Sequence, residues 1–328
     1  MLKLLTDKRE NITVDSLLKQ GGEAAIYKIV ENKDLLAKVY HRSKQDALEK
    51  IRWMIANPPE DMAYHRYKHR SYAWPERLLF NAQQQFVGFL MPRIQDAAPL
   101  LHIINPTLRN KTGLAFDLRY LHRIAYNLSI VVESIHKQGY VIGDLNQHNI
   151  MFNRCALVTI IDNDSFQVST QSRVFRCLVG VPEYTAPELQ GVQFSKVDRN
   201  YFHDNFGLAV IIFQLLMNGN HPFRSKWLGS GDPPSLAEKI AKGFFPYHRG
   251  STFPVQPPPD APRWETLHPE IAKLFLRCFI DGHSRPDRRP SPSEWSIVLK
   301  KTEQQLTQCR HCAEFFYAHL RSCPWCGK

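Results

Sequence analysis

Between residues 11 and 40, short apolar runs alternate with turn residues. Ala25-Ile26-Tyr27-Lys28-Ile29-Val30 and Leu35-Leu36-Ala37-Lys38-Val39-Tyr40 flank Asn32-Lys33-Asp34, which predicts a hairpin, and Gln20-Gly21-Gly22 signals a turn before it. Over residues 43–56 the apolar positions Ala47, Ile51, Met54 and Ile55 recur at helical spacing, until Asn57-Pro58-Pro59 ends the run. A strand is predicted over 86–91, followed by a connector over 92–99. Leu118, Leu121, Ile124, Leu128, Val131, Val132 and Ile135 then form one apolar stripe of a helix that Gly139 stops. Short strands are predicted over 149–152 and 157–161. Residues 204–217 are apolar on nearly all sides, the signature of a buried helix, whereas 254–262 holds five prolines and is predicted to be a loop.

With 328 residues, 43% of them hydrophobic, the chain can bury one large domain or two modest ones, so disorder throughout is excluded. The longest apolar run, 207–217, falls far short of the roughly 20 residues of a membrane span, and the first ten residues hold no signal-like stretch. A soluble, cytoplasmic protein is expected. The net charge of +11 favours acidic partners or nucleic acid, but no basic stripe interleaved with aromatics accompanies it, and a generally basic solvated surface is the simpler reading. Of seven cysteines, Cys155, Cys177 and Cys278 stand alone and four form two Cys-x-x-Cys pairs, which suggests no disulfide framework.

Candidate chemistry concentrates in Gly143-Asp144-Leu145-Asn146-Gln147-His148-Asn149-Ile150 and, after a short hairpin, Thr159-Ile160-Ile161-Asp162. Phosphoryl transfer needs one carboxylate to orient an acceptor hydroxyl and an oxygen-rich pair to hold magnesium against the phosphates. Asp144, Asn149 and Asp162 supply that set, although an Asp-Asn loop is also ordinary turn chemistry. Further motifs follow in order: Ala186-Pro187-Glu188, Asp204-Asn205-Phe206-Gly207-Leu208 opening the buried helix, Gly219-Asn220-His221-Pro222-Phe223, and Arg289-Pro290-Ser291.

Together these resemble the catalytic loop, metal loop, activation-segment end and late arginine of protein kinases. The resemblance covers roughly residues 15–300. It implies an α+β, two-lobed fold: an N-lobe over 1–91, a helical C-lobe over 92–306, and ATP between them. Asp144, Lys38 and Asn149 become the candidate catalytic residues, and Asn149 and Asp162 the candidate magnesium ligands. Gly21, Gly22, Ala24, Ile26, Lys38, Leu90 and Met91 are expected against the nucleotide, with Glu49 pairing Lys38. Asp204 is expected to tie down the catalytic loop and Arg289 to meet Glu188. Other readings stand beside these: a hairpin turn for the glycines, a solvated strand lysine for Lys38, a surface helix residue for Glu49.

Only Gly21 matches a glycine of the usual phosphate loop, and Gly21-Gly22-Glu23-Ala24 is similar to the RIO-type atypical kinases. The Asn163-Asp164-Ser165 stretch and the trailing cysteines look most like bacterial kinases of tellurite-resistance-type gene clusters. That likeness implies a von Willebrand A-domain protein and a metal-dependent serine/threonine phosphatase as partners. Several departures bear on mechanism. Gly143 removes the arginine that binds an activation-segment phosphate, so activation by that route is not expected; Asn146 and Val181 replace a lysine and a threonine on the acceptor side; Asn163 and Asp164 replace a phenylalanine and a glycine.

Residues 307–328 hold Cys309-x-x-Cys312 and Cys323-x-x-Cys326, the knuckle pairs of a four-cysteine zinc ribbon. Four thiolates leave no open position, so the zinc is expected to be structural; a redox pair, the other reading, needs only one Cys-x-x-Cys. Lys328, two residues past the last ligand, raises the expectation of a longer protein. The sequence therefore predicts an ATP- and magnesium-dependent protein serine/threonine kinase acting on a protein substrate. A catalytically weak nucleotide-binding scaffold and a small-molecule kinase are the alternatives.

Overall fold

A computed structural model describes residues 2–42, 45–109, 117–248 and 252–328. Its first part is a closed antiparallel barrel of β1 (Lys3–Thr6), β2 (Asn11–Gln20), β3 (Ala24–Ile29), β4 (Leu35–Tyr40), β5 (Arg77–Phe80) and β6 (Phe86–Pro92). The order is β1-β2-β3-β4-β6-β5, and β5 pairs back onto β1. Because side chains alternate along a strand, each of these strands has two jobs. Leu4, Ile12, Val14, Ile29, Ala37, Leu79 and Leu90 fill the barrel, while Ala24, Leu36, Tyr40, Phe89 and Met91 point outward into the main core.

The predicted 25–40 hairpin is β3–β4, with Ile26 opposite Lys38. Strand β1 lies where no element was expected; its Leu4 is buried opposite Ile12. Helix α1 (Gln45–Ala56) packs on the barrel through Ile51 and Met54, and residues 43–44 of the predicted helix lie outside the described residues. Part of the predicted 92–99 connector is strand: β7 (Ala97–Pro99) joins β8 (Ile150–Asn153) and β9 (Val158–Ile160) in a three-stranded sheet.

The remainder is mostly helical. Helix α2 (Leu118–Lys137) starts where the Asp117 carboxylate accepts the Tyr120 N–H at 2.7 Å, and it buries the predicted stripe. Helix α3 (Tyr201–Leu216), opened by an Asn200–His203 capping box, is buried from Asp204 to its end. Helices α4 (Pro269–Leu276) and α5 (Pro292–Glu303) complete the core around Phe275 and Trp295. The proline-rich segment is irregular apart from Val255–Gln256, which pairs with Lys226–Trp227.

Strands β10 (Leu306–Gln308) and β11 (Phe315–Tyr317) form a terminal hairpin. Tyr317 of β11 is buried against α2, its hydroxyl bonded to the His122 imidazole. Burial, with His268 nearby, pulls the His122 pKa down to about 3, so this ring is neutral.

Candidate active site

Asp204, buried in the first turn of α3, accepts the N–H groups of Ile142 and Gly143 at 2.8 Å each and the His136 Nε2 at 2.9 Å. Its carboxylate therefore fixes the backbone immediately before Asp144, the role expected for it. Both oxygens of Asp144 are engaged. Oδ1 accepts from Asn146 Nδ2 at 2.8 Å and from the Val181 N–H at 3.2 Å, and Oδ2 accepts from Asn149 Nδ2 at 3.2 Å. Asn146 thus orients the carboxylate, and the backbone of Val181 supplies a donor where a threonine hydroxyl was missing from the sequence. The Asn149 amide nitrogen also donates to the Asp144 carbonyl at 3.1 Å, while its carbonyl oxygen makes neither bond. The Ile161 N–H donates to the Asn149 carbonyl at 2.9 Å, which places Asp162 next to this loop.

Asp162 has φ 63° and ψ 37°, a left-handed conformation that short Asp side chains tolerate. Lys38 Nζ lies 2.5 Å from Asp162 Oδ1 and 2.5 Å from Asp164 Oδ1. Asp164 also accepts the Tyr40 hydroxyl at 2.9 Å on Oδ2, and its carbonyl accepts Lys50 Nζ at 2.6 Å. Burial alone would raise the Asp164 carboxyl, but the charge and hydrogen bond of Lys38, with Lys50 and Tyr40, hold it below the usual carboxylate range. The same pair of carboxylates outweighs burial at Lys38 and raises its pKa. At Lys50 burial prevails, drawing the ammonium down to about 8.

The expected Lys38–Glu49 pair does not form. Glu49 binds Arg173 at 2.9 Å and accepts the Ser172 hydroxyl at 3.4 Å, away from Lys38. Successive helical residues point about 100° apart, so with Lys50 turned into the cleft Glu49 faces the activation segment. Asp164 takes the anchoring place. The sequence reading missed Asp164, Lys50 and Tyr40; the available signal was an extra carboxylate two residues beyond Asp162, where a glycine was expected.

The outward face of the barrel beside Lys38 is apolar. Ile26 and Phe89 lie opposite Lys38 on the neighbouring strands, Met91 lies opposite Leu36, and Ala24 lies opposite Tyr40. Leu90 is a correction: its side chain fills the barrel beside Ala37, and Phe89 holds the place by Lys38, its ring centre 5.9 Å from Nζ. Gly21 closes the β2–β3 turn by donating its N–H to the Ala24 carbonyl at 2.9 Å. A β carbon at Gly22 would meet nothing within 4 Å, so the protein's own packing does not demand glycine there.

At the end of the activation segment, Arg289 makes a two-pronged pair with Glu188, at 2.7 Å to each oxygen, with its guanidinium fully buried. This is the partnership expected from the sequence. Near the C-terminus the sulfurs of Cys309, Cys312, Cys323 and Cys326 all lie within 4.8 Å of one another, with Cys309–Cys326 and Cys312–Cys323 at 3.6 Å. Zinc–sulfur bonds of ~2.3 Å in a tetrahedron require sulfur–sulfur edges of about 3.8 Å, so the four donors fit a tetrahedral soft cation. The N–H groups of Cys312 and His311 draw the Cys309 thiol down to about 6.

Residues 18–297 match the protein kinase domain family, and the chain belongs to that family. It is 32% identical over 338 aligned residues to Protein kinase YegI of Escherichia coli K12, an alignment covering 99% of this chain and 50% of that protein. The Escherichia coli O157:H7 protein of the same name is likewise 32% identical, with the same coverage. A more distant relative, cGMP-dependent protein kinase, isozyme 1 of Drosophila melanogaster, is 32% identical over 121 residues, covering 35% of this chain and 14% of its own. The chain thus spans about half the length of the YegI relatives. Among the described residues, no helix is long and apolar enough to cross a membrane.

Proposed function

We propose that this chain transfers the γ-phosphoryl group of ATP, with magnesium, to a serine or threonine hydroxyl of a protein. The observation that carries the reading is Asp144, held by three donors on two loops, with Asp204 fixing the backbone before it and Lys38 and Asp162 converging nearby. Magnesium-ATP, when bound, supplies the phosphoryl group and neutralises developing charge. Asp162 and the amide oxygen of Asn149 are the hard oxygen ligands available to the metal. Lys38 is the cation for the phosphates, kept in place by Asp164. Ala24, Ile26, Leu36 and Met91 offer an apolar face for the base, and Gly21 and Gly22 form the turn above it. Asp144 orients the acceptor hydroxyl and takes its proton.

The lobe boundaries expected from the sequence, the structural zinc at the four cysteines, and the von Willebrand A-domain and phosphatase partners belong to this proposal. The anchored Ala-Pro-Glu end speaks against a small-molecule kinase. A scaffold without turnover is the second reading, favoured by one observation: the Asn146 amide is turned onto Asp144, so residue 146 offers no cation to the transferring phosphate.

Two variants separate these readings. Asp162→Ala is expected to weaken magnesium-dependent ATP binding, whereas Asp144→Asn keeps ATP affinity and lowers transfer by roughly 10²-fold or more. Calorimetry together with a labelled-ATP transfer assay reads both. Wild-type binding of magnesium-ATP without phosphorylation of any acceptor, and no change in Asp144→Asn, would establish the scaffold.

A further inference from the structure

Arg199 lies between the activation segment and α3, and the sequence reading gave it no role. The residue is 4% exposed, and among the described residues no carboxylate forms an ion pair with it. Its bonds go to backbone carbonyls. Nη1 donates to the Gly143 carbonyl, directly before Asp144, and Nη2 donates to the Val179 carbonyl at 2.6 Å, two residues before the Val181 N–H that holds Asp144. The guanidinium carbon lies 3.9 Å from the centre of the Phe194 ring. The Arg199 backbone is fixed in turn: its N–H donates to Gln167 Oε1 at 2.7 Å, and its carbonyl accepts Gln167 Nε2 at 2.8 Å. Gln167 pairs with Val141 through the backbone in both directions. One side chain therefore joins the catalytic loop, the activation segment and the approach to α3.

Two glycines border it. At Gly143, φ +75°, a β carbon would fall 2.7 Å from Cys177 Cβ and 3.1 Å from Arg199 Nη1; at Gly180 it would fall 2.8 Å from the Phe194 ring and 3.1 Å from Nη2. A side chain at 143 would press first on Cys177, whose Cβ and Sγ lie 2.7 and 2.8 Å from the β-carbon position, and then on the Arg199 guanidinium. Burying a cation without a counter-charge is costly, so its bonds to two carbonyls and its contact with an aromatic face must offset that cost.

We propose that Arg199 is a positioning residue that locks the activation segment onto the catalytic loop in its acceptor-ready arrangement without a phosphate, in place of the missing arginine at 143. The lock itself is a statement about structure; its effect on acceptor turnover rests on the kinase reading above.

The test uses the full chain with Arg199→Met, and with Arg199→Lys, which keeps the charge but loses the fork that reaches two carbonyls. Hydrogen exchange without nucleotide is expected to accelerate roughly 10- to 100-fold at amides 177–181, the scale of losing charge-assisted buried bonds, while β3, β4 and the centre of α3 keep wild-type rates. In transfer assays kcat should fall on the same scale, with ATP affinity changed less than about twofold. Methylguanidinium should restore both readouts in Arg199→Ala but not in Arg199→Met, whose side chain fills the space. Wild-type exchange at 177–181, or acceleration spread evenly over the fold, overturns the proposal whatever the activity does. Local acceleration in a protein whose wild type transfers no phosphate leaves the lock standing and removes the kinase reading instead. If Arg199→Met does not fold, Arg199→Lys decides by the same exchange pattern.

Discussion

The replacement of Glu49 by Asp164 as the anchor of Lys38 can be tested directly with Asp164→Asn. The substitution keeps the size of the side chain and one acceptor for Tyr40, but it removes the charge facing Lys38. Leaving a buried charge wholly unpaired costs about 3–5 kcal/mol. Lys38 would still have Asp162, whose side chain is 42% exposed against 10% for Asp164 and whose pull is therefore screened by water. A loss near 2 kcal/mol is the expected result in urea unfolding. Magnesium-ATP affinity should fall about 10- to 30-fold, because Asp162 turns to the metal and Lys38 then depends on Asp164. Glu49→Ala removes the pair with Arg173, whose side chains are 50% and 41% exposed, and the long exposed bond from the Ser172 hydroxyl, and should cost under about 1 kcal/mol with ATP affinity unchanged. If Glu49→Ala weakens ATP binding more than Asp164→Asn does, the anchor has been misassigned and the helix moves on nucleotide binding.

Metal analysis of freshly purified protein should find about one zinc per chain, and Cys309→Ser or Cys326→Ser should lose it and lower the melting temperature by loosening the hairpin that carries Tyr317; protein without zinc would remove the ribbon reading. Acid should destabilise the fold through two buried neutral histidines, His122 with its pKa near 3 and His221 near 4, the latter because burial outweighs its bond to the Glu183 carbonyl. The unfolded chain takes protons below about pH 6.5 and the folded chain refuses them, so each histidine should cost about 2 kcal/mol at pH 5 relative to pH 7.5. Urea midpoints read this, and equal midpoints at the two pH values would refute it.

Contacts between distant motifs were legible: Asp204 accepts the N–H groups before Asp144, Glu188 pairs with Arg289, and Asn149 donates to Asp144, while the roles of Asp144, Asn149 and Asp162 are those proposed above. Helix α2 was legible from its apolar stripe and α3 from a segment apolar on nearly all sides. What failed was orientation, which depends on partners far away in the chain. A helix of the right length over 45–56 does not disclose whether Glu49 or Lys50 faces the cleft, since that is set by packing Ile51 and Met54 onto the barrel. Leu90 failed for the equivalent reason in a strand. Once Leu36 is known to pair with Met91, strict alternation sends Leu90 inward, but that register is visible only in the folded sheet. Strand β1 is four residues long and exists by pairing with both β2 and β5, so no local periodicity could announce it.

The departures from the kinase pattern bear on whether the site is decaying or merely rearranged. Loss of a helix carboxylate by drift would leave Lys38 buried without its charge, a penalty of several kcal/mol. Here Asp164 meets it instead. No arginine stands before Asp144 to hold the activation segment, and on the proposal above Arg199 takes that task by bonding the Gly143 and Val179 carbonyls. Val181 brings no hydroxyl to Asp144, whose Oδ1 is held by the Asn146 amide and by the residue-181 backbone N–H. Two of the three departures are thus met by a side chain elsewhere, Asp164 beside Lys38 and Arg199 between the two loops, and Oδ1 of Asp144 keeps its donors. One departure has no such match: Asn146 restores the orientation of Asp144 but not the positive charge a lysine would bring. On the proposed kinase reading that deficit bears on stabilisation of the transferring phosphate, hence on rate and not on folding or nucleotide affinity, and Lys38, 2.5 Å from Asp162, is the cation proposed to meet that charge.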